Sequence, residues 1–256
     1  MNNTKIINLG NNIDRGFFSY IYTTFSSIYI CDLKNIPFYI DWKSDKNYKN
    51  IESDNPFDYY FKQPFFENSP ENANYFSEQG LFLYTDIDLK NRETWNYLLK
   101  KYLILKNDIK NEIDEYYKNN FLNKKILCVH KRGTDHTFHK PIQENIEYFN
   151  VIDEELSKNH YDKIFLATDE NKSIIEFKDK YKDKLIFLNN IRSDNNSAIF
   201  KLNIDKNQHC KEAIMDAFLL SKGNKLIKTK STLTTIVCYL NKDLEYISID
   251  NHLKFK

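Results

Sequence analysis

Apolar positions in the second half of the chain fall into short unbroken runs: "KILCVH" (125–130), "KIFLAT" (163–168), "KLIFL" (184–188), "NKLIK" (224–228) and "LEYISI" (244–249). Runs of this length without strict alternation predict strands buried on both faces. Between them, apolar residues recur at helical spacing over roughly 143–159, 171–181, 208–222 and 232–240. Strand and helix alternating in this way predict a parallel sheet covered on both sides, a doubly wound, Rossmann-like half.

The first half opens similarly. "KIINL" reads as a strand, "GNNIDRG" as a tight turn, and "FFSYIYTTFSSIYICDL" as a helix that ends at Asn35-Ile36-Pro37. "PFYIDW" follows as a short strand. From Lys43 to about Glu93 the periodicity fails, and Pro and Asn punctuate aromatic clusters such as "NPFDYYFKQPFF". A stretch of that kind inside a compact domain is either functional or an irregular packed layer. Two helical patterns, roughly 92–105 and 107–120, close this half. The expected division is therefore a less regular α/β half over 1–121 and a regular one over 122–256.

Composition narrows the function classes. The chain has 256 residues, 41% hydrophobic and 29% charged, which suits a folded globular protein. Its 37 basic and 36 acidic residues leave a net charge of +1, so no nucleic-acid or anionic-membrane partner is expected and any anion site must be local. The four cysteines, Cys31, Cys128, Cys210 and Cys238, form no CxxC pair and read as buried free thiols. No apolar run approaches the roughly 18 residues of a membrane span. The start, "MNNTKIINLG", shows no signal-peptide pattern and points to a cytoplasmic or cytoplasm-facing protein.

Candidate chemistry lies in three loops that leave the strands at 125–130, 163–168 and 224–228, because ligands in this fold bind at the carboxyl ends of the strands. "HKRGTDHTFHK" holds three of the six histidines. His130, His136, His139 and Asp135 are metal-ligand types, but Phe138 and Pro141 break any regular array, and no metal site is expected. Arg132, directly after the strand, offers a planar fork for paired phosphate oxygens. "ATDENKS" supplies Asp169 and Glu170, suited either to a ribose, base or sugar or to capping the next helix. "KTKSTLT" puts Ser231 and Thr232 at a helix start, an anion site by helix dipole and free N–H groups, or a plain Ser/Thr cap. Neither a P-loop nor a G-x-G-x-x-G fingerprint follows any strand, so a phosphate site here needs another nucleotide-binding scheme.

These segments resemble three ordered elements of the fucosyltransferase superfamily that includes α1,6-, α1,2- and protein O-fucosyltransferases and the nodulation fucosyltransferase. "VHKRGTDHTFH" is similar to its H-x-R-x-x-D element, "FLATDENKSIIEFKDKYKDKLIFL" to its strand ending in Thr-Asp, and "EAIMDAFLLSKGNKLIKTKSTLTTIVCYLN" to its third element. The resemblance covers most of 125–250, and "LGNNIDRGFFSY" and "NPFDYYFKQP" are similar to the superfamily's N-terminal region. It implies a GT-B-like glycosyltransferase, with two Rossmann-like halves facing a cleft. The implied reaction is inverting and metal-independent, with a nucleoside-diphosphate sugar, GDP-linked in most relatives, as donor substrate and no prosthetic group. The phosphate-binding arginine falls on Arg132 in the loop begun by His130, the nucleoside-facing acid on Asp169 with Glu170 beside it, the third element's acid on Asp216, and the phosphate-contacting hydroxyls on Ser231 and Thr232.

One departure matters. Several relatives carry a glutamate, proposed as the base, in a longer loop where this chain has only "DHTFH". The base candidates are then Asp135, His136, His139 and, from the first half, Asp14. A glycan acceptor is the expected partner, for whose sugar rings Phe57, Tyr59, Tyr60, Phe61, Phe65 and Phe66 are either a stacking surface or simply core. GDP-rhamnose, GDP-mannose or UDP-xylose as donor, or a non-catalytic nucleotide-sugar or glycan-binding domain, are the alternatives.

Overall fold

The computed structural model describes residues 4–9, 16–45, 47–49, 51, 54–71, 73–76, 91–134, 143–194, 199 and 202–252. The chain forms two compact units, Met1–Asn111 and Glu112–Lys256. Asp14, Asp135, His136 and His139, all four base candidates, lie outside the described residues.

The first unit is built on a three-stranded parallel sheet in the order β2-β1-β3, with β1 at Lys5–Asn8, β2 at Phe38–Asp41 and β3 at Asn74–Phe76. Helix α1 (Phe17–Leu33) joins β1 to β2. It ends as "KNIP" dictates: Asn35 takes φ 50°, its N–H bonds to Asp32 O at 3.1 Å, and Ile36 N–H bonds to Cys31 O at 2.8 Å. This is the left-handed closure that Asn tolerates and Pro37 seals. The irregular middle packs into the core around residues 55–61. Phe57 and Tyr60 of the short helix α2 (Phe57–Tyr60), with Phe61 after it, are buried, Phe57 and Tyr60 meeting Trp42 and Phe17 edge-on, whereas Phe65 is 48% exposed. Helix α3 (Arg92–Tyr102) follows, and helix α4 (Asn107–Asn120) runs across the division between the units.

The second unit is a five-stranded, wholly parallel sheet in the order β6-β5-β4-β7-β8. Its strands are β4 (Ile126–Lys131), β5 (Lys163–Thr168), β6 (Leu185–Ile186), β7 (Lys225–Lys228) and β8 (Glu245–Ser248). Helices α5 (Asn145–Lys158), α6 (Asn171–Tyr181), α7 (Lys206–Leu220) and α8 (Thr232–Leu240) connect them, and α9 (Ile249–His252) closes the described chain. The first-made strand thus sits in the centre, and the order reverses beside it, the doubly wound arrangement expected from the apolar runs. Leu127 and Val129 face α5 and α6 in a core with Tyr148, Ile152 and Phe177. Cys128 points the other way, where Gly223 leaves it room. All four cysteines are buried, and burial pushes the Cys128 thiol well above its ordinary range.

Lys182, after α6, has φ 49° and ψ −126°. These are the dihedrals of the first central residue of a type II′ turn, where glycine is preferred. Lys182→Gly is expected to raise stability by about 1 kcal/mol, read as a higher thermal midpoint; a lower midpoint would mean that the lysine side chain contributes more than the strained backbone costs.

Candidate active site

Strand register brings the candidate loops together. Lys131 pairs with Thr168 and His130 with both Ala167 and Lys228, so the loops that begin at Arg132, Asp169 and Thr229 leave the sheet level with one another, β4's in the middle. A fourth loop, leaving β6, joins them through Arg192, whose guanidinium donates to the carbonyls of Thr168 (3.2 Å), Asn190 (3.0 Å) and Leu188 (2.5 Å). The same strand-end rule applied to "KLIFL" would have pointed to this loop, which carries a second arginine onto the edge.

The loop after β4 is held from below. Asp169 accepts the N–H of Gly133 and the hydroxyl of Thr134, both at 2.6 Å, one on each carboxylate oxygen. Glu170, buried, forms an ion pair at 2.7 Å with Lys131, itself 2% exposed, and also accepts the Ser173 hydroxyl. Burial opposes charge on Glu170, but the bonds from Lys131 and Ser173 outweigh it and hold the carboxyl below its ordinary range. The carboxylates of Asp169 and Glu170, which the resemblance assigns to the nucleoside, are engaged within the protein, Asp169 with the loop after β4 and Glu170 with Lys131 and Ser173. Arg132 stands between the two anchored residues, half-buried, at the start of that loop.

On the other flank, Ser231 is the N-cap of α8, its Oγ accepting the Thr234 N–H at 3.1 Å, and Thr232 is the first helical residue. The first turn of α8 thus opens onto the edge from which Arg132 emerges, with the positive end of the helix dipole toward it. The Tyr148 hydroxyl of α5 lies between the end of β4 and the β7 loop, 3.4 Å from His130 O and 3.5 Å from Thr229 Oγ1.

Three polar atoms at this edge are buried without a hydrogen-bond partner among the described residues: His130 Nδ1, His209 Nδ1 and Asp216 Oδ1. Burial holds His130 down at about 4, against the pull of Asp169 and with the repulsion of Arg132 and Lys228, so its imidazole is neutral at pH 7. Burial also drives Asp216 up to about 8 despite the charge of Arg192, and Glu212 adds to the rise. Its Oδ2 accepts the Asn190 amide at 2.8 Å. Glu212, one turn earlier on α7, accepts the N–H of Ile191 at 2.8 Å and so fixes the β6 loop against the helix. Buried polar atoms normally find partners, in the protein, in water or in a bound molecule. Among the described residues, no group of three His, Cys, Asp or Glu is placed to hold a metal ion, and no helix is long and apolar enough to cross a membrane.

No protein-family model matches the chain, and no curated protein matches it in sequence. Solved structures match it in fold. The chain is similar to the fucosyltransferase NodZ from Bradyrhizobium, at 15% identity and a TM-score of 0.58, over 98% of this chain and 96% of that one. It is similar to POFUT1 in complex with GDP, at 10% identity and a TM-score of 0.59, over 97% and 98% of the two chains. A mutant of Arabidopsis thaliana FUT1 in complex with GDP aligns with a TM-score of 0.59 at 10% identity, over 97% of this chain and 70% of that one. The chain therefore has the fold of these fucosyltransferases along nearly its whole length, in agreement with the motif resemblance.

Proposed function

We propose that the protein is an inverting, metal-independent glycosyltransferase that moves fucose or a related sugar from a GDP-linked donor to a hydroxyl of a glycan acceptor. The observation that carries this reading is the placement of Arg132 on the central strand's end of a fucosyltransferase fold, between an anchored loop and the first turn of α8. The guanidinium and the α8 N–H groups stabilise the charge that develops on the leaving diphosphate. The acceptor hydroxyl attacks the anomeric carbon from the opposite face and loses its proton to a base drawn from Asp135, His136, His139 or Asp14.

The orphaned atoms of Asp216 and His130 support a purine reading of the nucleoside pocket. A carboxylate that can accept from two adjacent donors fits the N1–H and N2–H₂ edge of guanine, whereas uracil offers a single N–H between two carbonyls. Neutral His130, whose Nδ1 has no partner among the described residues, supplies one further donor or acceptor.

Calorimetry of GDP against UDP, followed by product analysis with GDP-, UDP- and dTDP-sugars, tests the proposal: GDP binding with transfer from a GDP-sugar is expected. Equal binding of both nucleotides, or binding without any transfer or hydrolysis, would overturn it, the latter in favour of a non-catalytic domain.

A pH dependence follows from Asp216. Free, its carboxyl holds a proton up to about pH 8; bound guanine requires the carboxylate, so binding releases that proton. GDP affinity is expected to rise with pH, about fivefold from pH 7 to pH 8, as the competent fraction grows. Asp216→Asn should flatten this profile as well as weaken GDP. A wild-type affinity that falls over the same interval would exclude Asp216 as the acceptor.

A further inference from the structure

We propose that Glu170 is a positioning residue for Arg132, acting through its buried ion pair with Lys131; this rests on the reading of Arg132 as the phosphate ligand. Both sequence neighbours of Arg132 are held by the same short segment. On one side, Lys131 Nζ meets Glu170 Oε2 at 2.7 Å, with both side chains out of water. On the other, Gly133 is seated directly on Glu170: a Cβ added there would lie 2.5 Å from Glu170 Cβ and 2.8 Å from its Oε2, and the Gly133 N–H is bound by Asp169.

The anchor is itself fixed from behind. Glu170 pairs with Ser193 as an isolated parallel bridge, Ser193 N–H bonds to Asp169 O at 2.9 Å, and Asn171 N–H bonds to Ser193 O at 3.0 Å. Ser173 donates to the glutamate and lies 3.0 Å from Asn145, whose amide reaches Glu176 at 2.8 Å. Residues 169–170, held by the β6 loop and by α5 and α6, thus grip the Lys131 side chain on one side of Arg132 and the Gly133 backbone on the other.

Stability is a poor reason for such a pair. Two apolar side chains of similar length would fill the same volume without the desolvation that a buried lysine and glutamate incur, so a buried ion pair is weak evidence for stabilisation. What the pair adds is direction, since a charged hydrogen bond fixes distance and angle where an apolar contact would let the strand end slide. A guanidinium that must meet a phosphate within a few tenths of an ångström depends on that direction, and misplacement by about 1 Å can cost 10²-fold in rate.

The test is the apolar double variant Lys131→Met/Glu170→Met in the full chain, with Ser173→Ala as a milder second variant and Arg132→Ala as control. The double variant is expected to melt near wild type, to keep its KM for the GDP-sugar, and to lose roughly 10- to 100-fold in kcat. Amide hydrogen exchange at Arg132, Gly133 and Thr134 should be faster, and Ser173→Ala should shift both readouts in the same direction by a smaller factor. Wild-type kcat and wild-type exchange in the double variant would overturn the proposal, and so would faster exchange with unchanged kcat. If the double variant does not fold, the same criteria apply to Ser173→Ala. An Arg132→Ala enzyme as active as wild type is a different failure, because it removes the donor-site reading itself and this proposal with it.

Discussion

Arg132→Ala is expected to lower sugar transfer by about 10²–10³-fold, the cost of removing one preorganised charge partner from a developing oxyanion. The residue directly follows Lys131, the last position of β4, and is half-buried at the loop start, outside the apolar core formed by Leu127 and Val129 with α5 and α6. Its loss should therefore leave the circular dichroism spectrum and the thermal midpoint close to wild type. Arg132→Lys separates charge from geometry. An ammonium keeps the charge but not the planar fork, so partial activity is expected, well below wild type. The measurement is steady-state transfer from a GDP-sugar with the melting curve of each variant recorded alongside; near-wild-type turnover in Arg132→Ala would end the assignment.

The second large effect concerns the fold. A Cβ on Gly223 would sit 2.3 Å from Cys128 Sγ and 3.2 Å from Cys128 Cβ. Cys128 cannot yield, because it is fully buried on the central strand and paired on both sides, with Phe165 in β5 and Leu226 in β7. Gly223→Ala is therefore expected to cost about 3 kcal/mol, the upper end for an overpacked core, with a thermal midpoint lowered by roughly 6–12 °C for a chain of this size. Adding Cys128→Ala removes the sulfur that the new methyl strikes. The double variant should be more stable than the sum of the two single losses allows, since residues in contact do not behave additively. Strictly additive losses would show that the methyl is accommodated some other way.

Much of the fold was legible because a parallel sheet buried on both faces leaves apolar runs too strong to miss. Four of the five strands of the second unit fall inside an expected run and β4 overruns its own by one residue, Lys131, while α7 begins two residues before the expected start because Asp205 caps it, accepting from Asn207 and Gln208. In the first unit, β3 and α2 escaped. Asn74 and Tyr75 are exposed, so β3 has no buried face to impose a period, and α2 is a four-residue turn in a run whose apolar residues show no spacing.

The loops that make up the candidate site were legible as strand ends, its side-chain contacts less so. Arg132, Ser231 and Thr232 follow from strand ends and a helix start. Asp169 and Glu170 lie where the strand rule puts them, yet apart from Ser173 the hydrogen bonds described for their carboxylates come from residues 35 to 39 positions away, a pairing no local pattern announces. Lys131 is buried although a lysine ordinarily keeps its charge in water. The usable signal was Gly133, one of five glycines, standing directly after the arginine: a glycine there implies close approach of another part of the chain.

The central place of β4 also sets an order of events during synthesis. Its β5 neighbour follows within a few tens of residues, but Leu127 and Val129 must wait for Lys225 and Ile227 to be made before their other side is paired. At 5–20 residues per second, about 100 residues take roughly 5–20 s to add. For that interval the nascent chain carries an open, apolar strand edge, the kind of edge that invites pairing with other chains. Ser231 and the first turn of α8 arrive later still, after β7, so the loops of the candidate site come together only once both neighbours of β4 have been made.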